Sequence, residues 1–122
     1  MSEYKLDGAT HFIKAFFWSM AGFKAAWRHE AAFRQEVIAL VVMVPLGVWL
    51  GEGAVQKALL VASVLFVIVV ELLNSAMEAT VDRIGLEHHI LSGRAKDLGS
   101  AAVFVALTIT GVIWGFILFA KL

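Results

Sequence analysis

One face of an otherwise apolar stretch, residues 67–85, collects the side chains with most chemistry to offer. Glu71, Asn74, Ser75, Glu78 and Asp82 follow one another at offsets of three, four, seven and eleven from the first. On a helix those offsets put all five on one face. Glu71 comes directly after thirteen uncharged residues, Ala58–Val70. An acid near a bilayer centre costs roughly 2.5–3.5 kcal/mol on insertion scales, so such residues mark sites and pathways. Glu71 and Glu78 are two turns apart, ~10 Å along a helix axis, too far to grip one metal ion directly between them. Two separate roles fit that spacing better than one shared site. The blander alternatives are an ion pair between Glu71 and a neighbouring subunit, and a simple interhelical hydrogen bond from Asn74. Five polar residues running to the end of the segment are better explained by a wet or protein-lined cleft.

The elements that must position this face are membrane helices. The 122 residues are 61% hydrophobic and 16% charged with a single proline, too apolar for an ordinary soluble domain. Ten basic and ten acidic residues cancel, which leaves no basic surface for nucleic acid. The chain has no cysteine, so disulfides, thiolate metal sites and cysteine nucleophiles are excluded. Charged residues and histidine interrupt the first thirty positions, unlike a signal peptide.

The expected fold is an all-α membrane protein of one domain over residues 1–122: an N-terminal amphipathic surface helix at about 9–34, then transmembrane helices at about 31–50, 58–79 and 98–120. The last span is the cleanest, with 23 uncharged residues from Leu98 to Ala120. The first holds Pro45, which predicts a kink or local irregularity. In the arm, Phe12, Phe16, Met20, Phe23 and Trp27 share one helical sector while Lys14, Lys24 and Arg28 lie opposite, the pattern of a helix lying on the membrane. Glu30 and Arg34 fall inside the apolar stripe, and Glu30 is the odd residue there. Basic residues set the orientation. Lys5, Lys14, Lys24, Arg28, Arg34, Arg83, Arg94 and Lys96 lie on one side, and only Lys57 and Lys121 on the other. That predicts a cytoplasmic N-terminus and an external C-terminus. Three spans enclose little by themselves, so an oligomer is expected.

Beyond the acidic face comes GLEHHILSGRAKDLGSAAV, residues 85–103. Ser92 is the expected N-cap of the last helix, with Gly93 admitting a ligand close to the backbone. A helix starting there would turn its N–H groups toward the cytoplasm, where an anion could dock, near Lys96, Asp97 and Ser100. The plainer reading leaves Arg94 and Lys96 as positive-inside anchors and His88–His89 as a polar loop. Other motifs fail: His29-Glu30 begins a zinc-protease pattern, but Phe33 stands where the second histidine belongs. No G-x-x-x-x-G-K-[ST] loop or soluble protein-kinase signature occurs. The G-x-x-x-G spacings at Gly47–Gly51 and Gly111–Gly115 fit ordinary packing.

Three blocks in order, E-A-A-F-R-Q-E (30–36), E-L-L-N-S-A-M-E-A-T-V-D-R-I-G (71–85) and H-x-L-S-G-R-A-K-D-L-G-S-A-A-V (89–103), resemble the prokaryotic integral-membrane diacylglycerol kinases. The resemblance covers essentially residues 10–120. It implies a homotrimer in the bacterial inner (cytoplasmic) membrane that moves the γ-phosphoryl of MgATP to the hydroxyl of diacylglycerol. By that resemblance Glu71 is the general base, and Glu30 and Glu78 hold Mg²⁺ on ATP. ATP contacts are implied for His11, Trp18, Glu30, Glu78, Glu87, His88, His89, Lys96 and Asp97. Lipid-substrate contacts are implied for Ala15, Phe16, Phe17, Trp18, Ser19, Met20, Lys24, Ala25, Ala26, Trp27, Ala32, Phe33, Arg34, Gln35, Glu36, Glu71 and Ser100, with Asn74 in support. The better-known members carry arginine where His11 stands and tyrosine where Trp18 stands. Undecaprenol kinases share the E-x-x-N-x-x-x-E core, and the S-G-R-A-K-D-L-G-S-A-A-V block favours diacylglycerol over that acceptor. A small homo-oligomeric channel or proton-coupled transporter would account for Glu71 but not for Glu30, Glu78, Lys96 and Asp97 together.

Overall fold

The computed structural model describes residues 7–122. Lys5, one of the basic residues counted above, lies outside that range. Four helices follow in order: α1 Gly8–His29, α2 Ala31–Leu50, α3 Gly53–Ile84 and α4 Ile90–Phe119. The last three are long and apolar enough to cross a membrane.

The first helix is capped by Asp7, whose carboxylate accepts from the Thr10 N–H at 2.8 Å. That N–H and the Thr10 hydroxyl hold the Asp7 carboxyl below the usual carboxylate range. The expected continuous arm over 9–34 is broken at Glu30, which leaves the helical region at φ −119° and ψ 106°. Neither glycine nor proline signals this break. Its physical support comes from Arg34, whose guanidinium donates to the Trp27 and Arg28 carbonyls at 2.7 and 3.4 Å. Carbonyls at the end of α1 are thereby satisfied by a cation, the favoured sign at a helix C-terminus. Glu30 therefore occupies a joint between two helices rather than a stripe on one.

Helix α2 continues through Pro45. Loss of one backbone donor is tolerable in a membrane helix packed against neighbours. The turn to α3 uses Gly53 at φ +78°, where a side chain would be strained. Gln56 Oε1 accepts the Glu52 N–H at 2.9 Å, and Lys121 Nζ meets Glu52 Oε1 at 2.8 Å. That hydrogen bond and charge hold the Glu52 carboxyl below its usual range and tie the end of the chain to the α2–α3 turn.

Helix α3 has 32 residues where about 58–79 was expected, and α4 has 30 where 98–120 was expected. At 1.5 Å per residue both exceed ~30 Å of hydrocarbon, so polar turns extend each helix past its apolar stretch. Helix α4 also starts earlier than the expected Ser92 cap. His89 caps it, its Nδ1 accepting the Leu91 N–H at 3.0 Å, and Ser92 falls within the first turn. A neutral imidazole offers one acceptor nitrogen, so it can do what a serine hydroxyl does at this position.

Packing is concentrated at the end near Glu52. Leu60, Val64 and Trp114 form the buried core, with Leu40, Met43, Leu50, Ile113 and Ile117 against it. Trp114 Nε1 donates to Leu60 O and Ser63 Oγ, both at 3.2 Å, and Thr110 Oγ1 donates to Ser63 O at 2.9 Å. Gly47 is buried against Leu60 and Trp114, so the first G-x-x-x-G spacing contributes to packing within the chain. Gly111 and Gly115 have open space around them.

Replacing Trp114 separates the two parts of this contact. Trp114→Phe should cost about 1 kcal/mol for the lost donor, and Trp114→Ala about 3–5 kcal/mol for the lost ring. Thermal unfolding in detergent micelles measures both. Equal losses would mean that the ring adds nothing beyond its N–H.

Candidate active site

Glu71 lies midway along α3 and is only 5% exposed. Three further carboxylates act on the same region. Glu30, from the α1–α2 joint, and Glu78, further along α3, both exert electrostatic effects on Glu71. Glu36, on α2, is coupled to Glu71 in the same way. Thus α2, α3 and the α1–α2 joint each bring a carboxylate within electrostatic reach of Glu71, which a sequence separation of about forty residues does not announce.

The polar atoms around them are incompletely satisfied within the chain. Asn74 Nδ2 donates to Glu78 Oε1 at 3.1 Å. Asn74 Oδ1, Ser75 Oγ and Glu36 Oε2 are buried without a hydrogen-bond partner among the described residues. Each such atom costs about 1–3 kcal/mol until something satisfies it. Orphaned oxygens gathered beside buried acids are the mark of a site completed by a ligand, an ion or another subunit.

A cleft of about 450 Å³ between α3 and α4 is lined by Asn74 with Val70, Leu73, Met77, Leu98 and Gly99, and two more flank this group. The larger, about 550 Å³, lies between α1 and α3 and is lined by Ser19, Gly22, Phe23, Ala25, Ala26, His29, Glu30, Leu72, Ser75, Ala76 and Ala79. Its wall is mostly apolar, with Ser19, His29, Glu30 and Ser75 as the polar groups. A smaller cleft of about 150 Å³ sits at the α3–α4 turn and collects Asp82, Glu87, His88, His89, Ser92, Gly93 and Lys96. Lys96 is held there by an ion pair with Asp82, 2.8 Å from Nζ to Oδ1.

The expected site residues therefore divide. Glu87, His88, His89 and Lys96 come together at the α3–α4 turn, while Asp97 and Ser100 are exposed on the next turn of α4 and line none of these clefts. His11 and Trp18 meet each other edge to face, 6.2 Å between ring centroids, and also lie outside all three. Of the expected lipid contacts, Ser19, Ala25 and Ala26 line the larger cleft. Phe16, Phe17, Met20 and Trp27 are exposed along α1, joined by Lys24, with Ala15 half-buried. On α2, Ala32 and Gln35 face outward, Arg34 is spent on the end of α1, and Phe33 turns inward at 3% exposure. Asp82 as the partner of Lys96 was missed. Its place on the acidic face was the available signal.

The oxygen donors present are of the hard kind that a divalent cation such as Mg²⁺ takes. Glu30 and Glu78 offer carboxylate oxygen, the hard donor that Mg²⁺ requires. No group of three or more His, Asp or Glu residues is placed to hold a metal among the described residues. An ion that arrives on nucleotide phosphates needs only one or two protein carboxylates.

Residues 17–118 match the family model for prokaryotic diacylglycerol kinase. The chain belongs to that family. A diacylglycerol kinase of Haemophilus influenzae is 52% identical over 116 residues, covering 95% of this chain and 98% of the relative. A diacylglycerol kinase of Escherichia coli is 50% identical over 113 residues, covering 93% of each. One from Pseudomonas aeruginosa is 52% identical over 111 residues, covering 91% of this chain and 90% of the relative. The three sequence blocks containing Glu30, Glu71 to Gly85 and the Lys96 segment all lie within the family match.

The joint at Glu30 gives a direct test of local structure. Arg34→Met keeps length and apolar stem but removes the donors to Trp27 and Arg28. Amide exchange in the last turn of α1 should quicken several-fold, with the middle of α3 unchanged. Unchanged exchange at both places would show that the guanidinium does not hold the end of α1.

Proposed function

We propose that this chain phosphorylates 1,2-diacylglycerol at its free hydroxyl, using MgATP and yielding phosphatidic acid and ADP. Membership of the family makes the chain a lipid kinase. The observation that carries the residue assignment is the buried Glu71, within electrostatic reach of Glu30, Glu36 and Glu78, with Glu30 in the wall of an apolar cleft.

In this reading the acyl chains lie along the larger cleft and the apolar side of α1, leaving the hydroxyl near Glu71. Glu71 takes the hydroxyl proton as the oxygen attacks the γ-phosphorus and ADP departs. Glu30 and Glu78 hold the Mg²⁺, which when bound with ATP neutralises phosphate charge. Lys96, poised by Asp82, meets the phosphates from the α3–α4 turn, with Glu87, His88 and His89 beside it and Asp97 one residue on. Asn74 and Ser100 flank the reacting groups, and His11 and Trp18 reach the nucleotide from α1.

Helix α1 is an amphipathic surface helix in this reading: Phe12, Phe16, Met20, Phe23 and Trp27 are all left uncovered by the rest of the chain. The basic-residue bias puts α1 and the α3–α4 turn in the cytoplasm, and the α2–α3 turn and C-terminus outside the bacterial inner membrane. A homotrimer supplies protein cover for the acidic face, since intramembrane acids almost always face protein or a wet cavity.

Purified protein in mixed micelles with MgATP should phosphorylate diacylglycerol in preference to undecaprenol. Glu71→Gln should lower kcat about 10²–10⁴-fold without loss of assembly. Preference for undecaprenol would overturn the acceptor, and wild-type turnover in assembled Glu71→Gln would overturn the base.

Shared sites can be tested by subunit exchange. Mixing inactive Glu71→Gln with inactive Lys96→Ala protein should restore part of the activity, because sites built from two chains would sometimes receive both intact groups. No recovery, with exchange confirmed by labelled subunits, would place both residues in one chain.

A further inference from the structure

We infer that Gly99 is a positioning residue for phosphoryl transfer, acting through the Asn74 amide on Glu78. The inference rests on the reading of Glu78 as a metal-holding acid and adds a residue to it.

A glycine inside a helix costs ~1 kcal/mol relative to alanine, so an interior one needs a reason. On α4, Gly93, Gly111 and Gly115 have open space where a Cβ would sit. Gly99 differs. A Cβ there would overlap Asn74 Oδ1 outright and come within 2.6 Å of Met77 Cε and 3.1 Å of Asn74 Cγ. The Asn74 amide thus occupies the space that the missing side chain leaves, wedged between α3 and α4.

That wedge fixes which way the amide points. Its Nδ2 donates to Glu78 Oε1 at 3.1 Å. The reverse orientation would set two acceptors against each other. With Nδ2 committed to Glu78, Oδ1 has to face α4, where it is buried and without a hydrogen-bond partner among the described residues. A Cβ at position 99 would occupy the same space. Met77 ends in a flexible thioether that can swing aside. A methyl group at position 99 has to displace the Asn74 amide, and in this proposal that displacement draws Nδ2 away from Glu78. The added methyl would therefore release one oxygen of Glu78 from its only donor among the described residues and loosen the carboxylate.

The test uses the full chain in detergent, with two readouts. One is the Mg²⁺ concentration for half-maximal activity, set against the KM for diacylglycerol. The other is the ¹⁵N resonance of the Asn74 side-chain amide in metal-free protein, assigned by its loss in Asn74→Ala. Gly99→Ala should raise the Mg²⁺ requirement about tenfold, the scale for losing a partner that orients a metal ligand. The KM for diacylglycerol should change less than twofold, and the Asn74 amide resonance should move. Adding Met77→Ala should not rescue it, because the overlap with Asn74 remains. Gly111→Ala, on the same helix, should behave as wild type. In the Asn74→Ala background, Gly99→Ala should add nothing, because the group it acts through is gone. That last comparison decides the matter even if Gly99→Ala alone fails to fold. A stationary amide, a wild-type Mg²⁺ requirement in folded Gly99→Ala, or losses that multiply in the double variant would each overturn the inference. If Glu78→Gln keeps a wild-type Mg²⁺ requirement while the amide moves in Gly99→Ala, the metal reading of Glu78 has failed and the Gly99–Asn74 contact has not.

Discussion

A carboxylate held at 5% exposure within an apolar helix is the constraint on which this chain is organised. Glu71 cannot face lipid at tolerable cost, so protein must surround it. That requirement explains why α2 and the α1–α2 joint pass beside the middle of α3. It also explains why the neighbouring positions are polar rather than leucine. Glu36 and Glu30 carry the same charge as Glu71, and gathering like charges in a poorly solvated place destabilises the fold. Such an arrangement persists where a cation or a proton transfer compensates for it.

The two ends of the bundle divide the labour. Near Glu52 the contacts are apolar or fully satisfied: Leu60 against Gly47 and Trp114, Thr110 on the Ser63 carbonyl, Lys121 on Glu52. Near Glu71 the buried oxygens of Glu36, Asn74 and Ser75 lack partners within the described residues. A rigid, satisfied end allows an unsatisfied end to be held in place without collapsing. Helix α1, with only Ala26 buried, depends on the joint at Glu30 and the Arg34 guanidinium for its attachment.

Much of the surface is apolar, from Phe12 and Phe16 on α1 to Phe104 and Phe116 on α4. Lipid covers such side chains well. It offers no hydrogen-bond partner to the buried oxygens of Ser75 and Glu36.

The sequence by itself determined the helical class, the number of spans and the acidic face. Uncharged runs of membrane length leave the backbone no alternative to helix, and the offsets from Glu71 to Asp82 put those residues together on any helix. The three ordered blocks were also enough to indicate the family. Tertiary structure decided the rest. The break at Glu30 has no glycine or proline to announce it and depends on Arg34 reaching back to carbonyls six and seven residues earlier. The His89 cap won over Ser92 because an imidazole nitrogen happened to face the first turn of α4. The pairing of Lys96 with Asp82, and the fit of Asn74 into the space beside Gly99, join residues on different helices. Helical periodicity gives the face a residue occupies on its own helix, but not the height at which a second helix crosses it. That height is set by packing between α3 and α4, a sum over many weak contacts that no local pattern records.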